Sequence, residues 1–209
     1  MIDISPPVGP SSPVWPGDTG YAAEVHWPMT GGSPVVVHRF TSTPHVGAHA
    51  DAPAHFLPDG DSIDAVPLEP YLGPCQVIHC LPGEDRRSSV TLTDVMTSLA
   101  ATPEPVAPRL LIRSYPVFPT VWVEGFPGIA PEVLDWFAAE GGLLIGTDAA
   151  SLDPMQSSSM DAHRAAARHH IAILENLCLE DVPEGRYELI ALPLRLVGLD
   201  ASPVRAVLR

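Results

Sequence analysis

The chain has 209 residues, and its 11 basic and 25 acidic side chains give a formal net charge of −14. An acidic chain without a basic cluster disfavours nucleic acid and anionic membranes as partners, and no stretch approaches the ~18 apolar residues of a membrane span. The chain opens without the basic and apolar segments of a secretion signal. We therefore expect one cytoplasmic domain over residues 1–209, with Cys75, Cys80 and Cys178 reduced and packed in its core.

Predicted strands and helices alternate along the sequence. In chain order they are a strand over 35–40, an irregular connection over 59–74, a strand over 76–80, a helix over 91–99, a strand over 110–113, a helix from Pro131 to a stop at Gly141, a strand over 143–145, a helix over 161–168, and strands over 187–192 and 204–208. The strands are short runs rich in β-branched residues, whereas Pro131 and Gly141 mark the start and stop of a helix. This alternation predicts an α/β fold.

Several common catalytic motifs are absent from the sequence. There is no G-x-S-x-G, which disfavours a serine α/β-hydrolase. Neither G-x-x-x-x-G-K-[ST] nor G-x-G-x-x-G occurs, which disfavours a phosphate-cradling nucleotide site. The clearest signal for chemistry is instead a histidine-rich stretch, P-H-V-G-A-H-A-D-A-P-A-H-F, over residues 44–56.

The histidine-rich stretch places His45, His49 and Asp51 on odd-numbered positions, so an extended chain would present them on one face. Two neutral imidazoles and a carboxylate suit zinc or another borderline first-row metal, and three protein ligands leave a position open for catalysis. His55 follows a proline that is compatible with the first turn of a short helix. Placed near a metal without binding it, His55 would be a general acid or base.

The rest of the metal shell must come from elsewhere, and the segment 160–177 is the best source. His163 is its preferred imidazole, and Glu175 lies in an apolar run where an unpaired carboxylate would be costly. A straight helix would place these two side chains about 18 Å apart. If both bind metal, the helix must break, and we expect the break within 168–171. The alternative for Glu175 is a solvent-facing position on an amphipathic helix.

These residues resemble the metal-dependent cyclase-type hydrolases, and most closely the bacterial kynurenine formamidases (arylformamidases). H-V-G-A-H-A-D-A-P-A-H is similar to the superfamily signature H-x-G-[TA]-H-x-D-x-P-x-H at each fixed position. Other parts of the sequence resemble blocks of the formamidases. They are the opening D-I-S-P-P-V and S-P-V-W-P-G-D-T, the segment 145–163, and the later A-I-L-E-N-L and Y-E-L-I-A-L-P-L-R-L. The resemblance runs nearly end to end and is weakest over 110–126 and 155–159.

The resemblance implies a mixed β-sheet with a β-barrel-like core and flanking helices, assembled as a homodimer. It implies two zinc ions, with manganese or another divalent metal as alternatives, bound by five side chains: His45, His49, Asp51, His163 and Glu175. In this arrangement Asp51 bridges the two metals and Glu175 contacts both. The resemblance also assigns proton transfer to His55 and a wall of the substrate pocket to Trp15. A packed core indole is the alternative for Trp15.

The activity implied by the resemblance is hydrolysis of a small aryl formamide, N-formyl-L-kynurenine, to L-kynurenine and formate in tryptophan degradation. Two alternatives stay open. One is a related hydrolase that opens another aryl or cyclic amide, as isatin hydrolases do, with the same metals. The other is a non-catalytic metal-binding protein, which would have a closed shell of four ligands.

Overall fold

The computed structural model describes residues 1–81, 89–100 and 104–209. These residues contain three α-helices: α1 (Leu92–Leu99), α2 (Pro131–Ala139) and α3 (Asp161–Arg168). They also contain thirteen strands: β1 (Ile2–Asp3), β2 (Ala22–Trp27), β3 (Val37–Thr41), β4 (His49–Asp51), β5 (Leu72–His79), β6 (Ser89–Val90), β7 (Arg109–Arg113), β8 (Gly128–Ile129), β9 (Leu144–Thr147), β10 (Ala172–Glu175), β11 (Gly185–Ile190), β12 (Ala201–Pro203) and β13 (Val207–Leu208). Two short 3-10 helices cover Pro53–His55 and Glu69–Tyr71.

Nine strands form one curled sheet, a half-barrel, in the order β1-β13-β11-β5-β7-β9-β10-β4-β12. Its centre is parallel, because β5, β7, β9 and β10 run in the same direction. Antiparallel strands extend it on both sides, with β11, β13 and β1 beyond β5, and β4 and β12 beyond β10. Strands β2 and β3 form a separate antiparallel hairpin, and β6 pairs with β8. The predicted α/β fold with a barrel-like core is confirmed.

Side chains of the central strand β7 divide the core into two parts. Leu110 and Ile112 face the helices, in a cluster that includes Val95 of α1 and Phe137 of α2. Leu111 faces the opposite way and packs in a second cluster beneath the other face of the sheet. Because parallel strands are covered on both faces, they appear in the sequence as short apolar runs, which is how the prediction found them.

The three helices begin and end close to their predicted positions. Thr91 is the N-cap of α1, since its hydroxyl accepts from the Asp94 N–H and its own N–H donates to the Asp94 carboxylate. The helix therefore starts one residue later than predicted. Helix α2 starts at Pro131 and ends before Gly141, which has a φ of +83°. Helix α3 has the predicted bounds.

Some predictions of strands and connections differ from the structure. The predicted strand over 204–208 is β13 alone, and β12 ends before it. The predicted irregular connection over 59–74 is interrupted by the 3-10 helix Glu69–Tyr71 and by the start of β5. Strands β1 and β2 were not predicted, because β1 has only two residues and β2 is exposed along its whole length.

Two further expectations concern the burial of the cysteines and the absence of a membrane-spanning segment. Cys75 and Cys80 are buried as expected, whereas Cys178 is only partly buried. Within the described ranges, none of the helices has the length and apolar character needed to cross a bilayer.

Candidate metal centre and active site

Strands β4 and β10 place three candidate ligands on one face of the sheet. Their antiparallel register pairs His49 with Glu175 and Asp51 with Ile173. Residues directly opposite each other in such a pair share a face, and Ile173 belongs to the core beneath the helices. The side chains of His49, Asp51 and Glu175 therefore point toward the helical side of the sheet, where all three are buried.

Helix α3 brings His163 to the same face, and the chain then reverses. The helix ends at Arg168, and His170 adopts a positive φ of 54° before β10 begins. As a result, His163 Nε2 lies 3.4 Å from Glu175 Oε1, whereas a straight helix would have separated the side chains by about 18 Å. The predicted helix break is confirmed. The alternative of a solvent-facing Glu175 on a helix is wrong, because Glu175 is buried on a strand.

His45 reaches the site from a turn and not from the predicted extended chain. The strand covers only His49–Asp51, and Gly47 has a φ of +73°, in the left-handed region that ends an extended conformation. A Cβ at this glycine would lie 2.5 Å from a methyl group of Val8, so the turn also needs the missing side chain. The prediction of one extended face is therefore wrong for His45. The turn still places His45 Nδ1 3.2 Å from Asp51 Oδ1.

Each of the three imidazoles has one ring nitrogen held by an oxygen atom outside the cluster of candidate ligands. The pairs are His49 Nδ1 with the Gly47 carbonyl at 2.9 Å, His163 Nδ1 with Asp153 Oδ2 at 2.7 Å, and His45 Nε2 with Asp200 Oδ2 at 3.1 Å. An imidazole that donates one N–H in this way presents the lone pair of its other nitrogen. Metal-binding histidines are oriented by the same kind of contact.

Among the described residues, three groups of side chains have the proximity that a metal requires, and two of these groups share Asp51. One group is His45, His49 and Asp51, and the other is Asp51, His163 and Glu175; within each, the potential ligand atoms lie within 4.8 Å of one another. His49 Nε2 and Asp51 Oδ1 are 3.3 Å apart but are not aligned as a hydrogen bond. Neither atom has a hydrogen-bond partner among the described residues. Buried polar atoms rarely lack a partner, so these residues fit a divalent metal bound by nitrogen and carboxylate oxygen.

The charges of the two ligand groups stabilise each other when no metal is bound. Burial of the His49 ring disfavours its protonation, but the Asp51 and Glu175 carboxylates outweigh burial and raise its pKa to about 10. Nearby carboxylates also raise the pKa of His163 well above its ordinary value against the effect of burial. Burial would raise the pKa of Asp51, yet the surrounding imidazoles hold it well below its ordinary range. The metal-free site therefore holds carboxylates beside protonated imidazoles.

Metal binding to the metal-free protein is expected to release protons near pH 7. With its pKa raised to about 10, the His49 ring carries an extra proton at this pH, and the raised pKa of His163 favours its protonated form. A metal binds imidazole only in its neutral form. Metal affinity should therefore increase as the pH rises through the neutral range. Calorimetric titration in buffers of different ionisation enthalpy measures the number of protons released. A binding enthalpy that does not depend on the buffer would contradict this prediction.

His55 lies beside the ligand groups, at the end of the predicted short helix Pro53–His55. Its Nδ1 is 3.0 Å from Asp200 Oδ2, and its ring centroid is 4.3 Å from that of His45 and 6.3 Å from that of His163. The side chain of His55 is 33% exposed, whereas that of the candidate ligand His49 is buried. His55 is therefore close to the candidate metal site but outside both ligand groups described above.

A cavity of about 480 Å³, the site cavity, opens over the ligand groups. Its lining includes six residues already discussed: Trp15, His45, His49, His55, Asp153 and Glu175. Trp15 is 38% exposed, so the alternative of a packed core indole is wrong. Its ring meets those of Trp122 and Phe126 edge-on, with centroid distances of 5.2 and 6.0 Å. Trp15 thus contributes an aromatic wall, and its contact with substrate stays a prediction.

Three residues of this region were not identified from the sequence. Asp153 contacts His163, Asp200 contacts His45 and His55, and Trp122 packs against Trp15. Asp153 lies in the segment 145–163 that resembles the formamidases, but the prediction gave it no role. Asp200 belongs to no motif used in the prediction, and it comes close to its partners only because β12 pairs with β4. Trp122 lies in the segment 110–126, where the family resemblance is weakest.

Comparisons with known proteins are consistent with this geometry. The Cyclase family model, described as "Putative cyclase", matches residues 2–154. Similar solved structures include a potential metal-dependent hydrolase with cyclase activity, 26% identical with a TM-score of 0.80 over 99% of this chain and 95% of that chain. Another is a predicted metal-dependent hydrolase from Bacillus stearothermophilus, 27% identical with a TM-score of 0.79 over 99% of this chain and 96% of that chain.

An isatin hydrolase bound to the product analogue thioisatinate has the same fold, with a TM-score of 0.84 at 20% identity over 100% of this chain and 92% of that chain. The family model covers the histidine-rich stretch and most of the rest of the sequence. Since that match spans well over half of the residues, the chain belongs to the Cyclase family.

Proposed function

We propose that this Cyclase-family chain is a metal-dependent amide hydrolase that converts N-formyl-L-kynurenine to L-kynurenine and formate. The position of His55 carries the proposal. This imidazole lines the same cavity as the ligand groups, but it belongs to neither group and is partly exposed. A structural metal site has a closed shell and needs neither an open cavity nor an additional imidazole. The geometry therefore favours a hydrolase over a non-catalytic metal-binding protein.

The two ligand groups would each hold one divalent metal ion. His45, His49 and Asp51 would bind the first, and Asp51, His163 and Glu175 the second. Imidazole and carboxylate ligands suit zinc, with manganese as an alternative. When bound, such ions lower the pKa of water and polarise a carbonyl group.

His55 would supply the proton that the departing amine needs. Its Nδ1–H donates to Asp200 Oδ2, so its Nε2 is available to exchange a proton with a substrate in the site cavity. When the formyl C–N bond breaks, the aniline nitrogen is a poor leaving group unless it receives a proton. His55 Nε2 would first accept the proton released by the attacking water and then pass it to the nitrogen as the C–N bond breaks, which would produce a neutral amine.

The aromatic wall of the site cavity supports an aryl substrate. Trp15 belongs to the segment that resembles the formamidases and lines the cavity beside His55. Its edge-on contacts with Trp122 and Phe126 restrict the indole to one orientation. A substrate ring could pack on this wall with its formyl group toward the ligand groups.

Trp15→Ala is expected to raise KM for N-formylkynurenine by about 10-fold, the equivalent of one well-packed aromatic contact. The value of kcat should change much less, since the indole is assigned no part in the chemistry. Steady-state kinetics on N-formylkynurenine and on an aliphatic formamide measure this difference. An equal rise of KM for both substrates would contradict a role in binding the aryl ring.

The proposed function is tested by assaying the zinc-loaded and manganese-loaded protein on N-formylkynurenine and on isatin side by side. Release of L-kynurenine is followed by its absorbance, and a metal-free sample treated with chelator is the control. Kynurenine formation that depends on metal and exceeds isatin opening is the expected result. A protein that releases no kynurenine under either metal would refute the proposal.

A cyclic-amide hydrolase is the second candidate. It is favoured by the fold similarity to the isatin hydrolase bound to thioisatinate, and it would use the same ligand groups. The segment 110–126, whose Trp122 and Phe126 pack against Trp15, is where the sequence departs most from the formamidase pattern. Preferential opening of isatin in the same assay would support this candidate.

We also propose that the chain forms a homodimer. The hairpin β2–β3 is exposed along both strands, and Trp27 and Phe40 are 59% and 69% exposed. An isolated two-stranded hairpin is only marginally stable in water, so contact with a second copy would stabilise it. Sedimentation analysis is expected to give twice the mass of one chain, and a monomer at micromolar concentration would contradict this.

A further inference from the structure

The carboxylate of Asp200 contacts two histidines to which the proposed function gives different tasks. Its Oδ2 atom lies 3.1 Å from Nε2 of His45 and 3.0 Å from Nδ1 of His55. The two imidazole rings are close neighbours, with centroids 4.3 Å apart. Because an ionised carboxylate can only accept hydrogen bonds, both ring nitrogens donate to this single oxygen.

The position of Asp200 is fixed by the backbone around it. The residue immediately precedes β12, whose Ala201 pairs with Asp51 of the adjacent strand β4. Its carbonyl oxygen accepts a hydrogen bond of 2.9 Å from the Ala52 N–H. The backbone is thus anchored beside the strand that carries the metal ligands. The side chain, 43% exposed, reaches over this strand to the two imidazoles.

The two hydrogen bonds fix which nitrogen of each ring carries a proton. With the proton on Nε2, His45 presents the lone pair of Nδ1, which lies 3.2 Å from Asp51 Oδ1 in the first ligand group. With a proton on Nδ1, His55 keeps Nε2 available for the substrate. We propose that Asp200 is a positioning residue that orients a metal ligand and a proton donor through one oxygen atom. The His55 part rests on the proposed function, whereas the His45 part rests only on metal binding.

His45, His55 and Asp200 are also close enough to form a metal-ligand group of their own. Two observations favour the positioning role. The polar atoms of this group already contact one another as hydrogen bonds, whereas His49 Nε2 and Asp51 Oδ1 of the first ligand group have no hydrogen-bond partner among the described residues. A metal here would also need Nε2 of His45, so that one imidazole would have to bind two metals.

The first test measures metal affinity without substrate, by competition with a chromogenic zinc chelator. Asp200→Ala is expected to bind zinc about 10- to 100-fold more weakly, the usual effect of removing a hydrogen-bond partner of a ligand. Asp135→Ala is the matched control, because it removes a surface carboxylate that contacts His169 at 2.8 Å outside the site cavity. An Asp200→Ala protein with wild-type zinc affinity would overturn the proposal. Loss of one zinc ion per chain, with the affinity for the remaining zinc unchanged, would also overturn it, because Asp200 would then be a metal ligand.

The second test needs no variant at position 200, so it holds even if Asp200→Ala does not fold. Long-range ¹H–¹⁵N NMR of the zinc-loaded wild-type protein reports which nitrogen of each imidazole is protonated. The expected result is a proton on Nδ1 of His55 and on Nε2 of His45. A neutral His55 ring that carries its proton on Nε2 would overturn the proposal.

The third test is a double-mutant cycle on kcat, measured with saturating metal. Asp200→Ala and His55→Ala should each lower kcat by about 100-fold or more, and the double variant should be no slower than His55→Ala alone. Fully additive losses would overturn the coupling of Asp200 to His55. If the wild-type protein does not hydrolyse N-formylkynurenine, the proposed function fails. The affinity and NMR measurements then still decide the role of Asp200.

Asp200→Asn provides a conservative comparison for the same measurements. It keeps one acceptor oxygen but loses the charge, and charge-assisted hydrogen bonds are about twice as strong as neutral ones. Its zinc affinity and kcat are therefore expected between those of the wild type and Asp200→Ala. Weaker zinc binding than that of Asp200→Ala would contradict a hydrogen-bonding role.

Discussion

Asp51→Ala is expected to lose bound metal and hydrolytic activity together. Asp51 is the one carboxylate shared by both ligand groups, with oxygens 3.2 Å from His45, 3.3 Å from His49 and 3.4 Å from His163. Without it, neither group retains three ligands. The value of kcat/KM should fall by more than about 10⁴-fold, since metal ions lower the pKa of water by about nine units.

The same substitution should also destabilise the metal-free protein. Removing one member of a buried ion pair typically costs about 3–5 kcal/mol, and His49 and His163 would keep only Glu175 and Asp153 as buried acidic partners. Metal content by mass spectrometry and the free energy of unfolding in urea measure the two effects, with Asp135→Ala as the control for loss of one carboxylate. A folded Asp51→Ala protein that binds two metals and remains active would refute the bridging assignment.

His55→Ala is expected to keep its metal and to lose most of its kcat. The side chain belongs to neither ligand group and is more exposed than His49 or His163, so its removal leaves the metal site intact. Loss of a positioned general acid typically lowers the rate by about 10²- to 10⁴-fold. Metal content and steady-state kinetics measured on the same sample test both halves of this prediction.

The leaving group provides a sharper test of His55. Formanilides whose amines leave more readily depend less on proton donation, so His55→Ala should affect them less than it affects N-formylkynurenine. His169→Ala is the matched control, since it removes an imidazole that also contacts an aspartate but does not line the site cavity. Loss of metal from His55→Ala would instead identify His55 as a ligand. An equal loss of rate for all leaving groups would contradict proton donation.

Much of the site could be predicted because it depends on the spacing of nearby residues in the sequence. The alternation of His49 and Asp51 is that of a strand, and both side chains do share one face of β4. The break between His163 and Glu175 followed from helix geometry alone, since two ligands of one site cannot be about 18 Å apart. The structure places the change from helix to strand at the predicted position.

The features that were missed depend on contacts between distant parts of the chain. The spacing of His45 suggested an extended strand, but the conformation of Gly47 and the packing of Val8 against it produce a turn. The sequence does not identify Asp200 as a partner of the site, because β12 lies beside β4 only in the folded chain. Short edge strands such as β1 carry too little hydrophobic pattern to be identified before their pairing partners are known.

The placement of β4 between β10 and β12 has a consequence for how the protein acquires its metal. The three residues of β4 pair with Ala172–Glu175 on one side and Ala201–Pro203 on the other. Contacts between such distant segments form late in folding, because the loops between them must close first. During synthesis, β4 leaves the ribosome long before either neighbour exists. A growing chain therefore carries His45, His49 and Asp51 before His163 and Glu175, and the second ligand group is complete only once β10 has paired with β4.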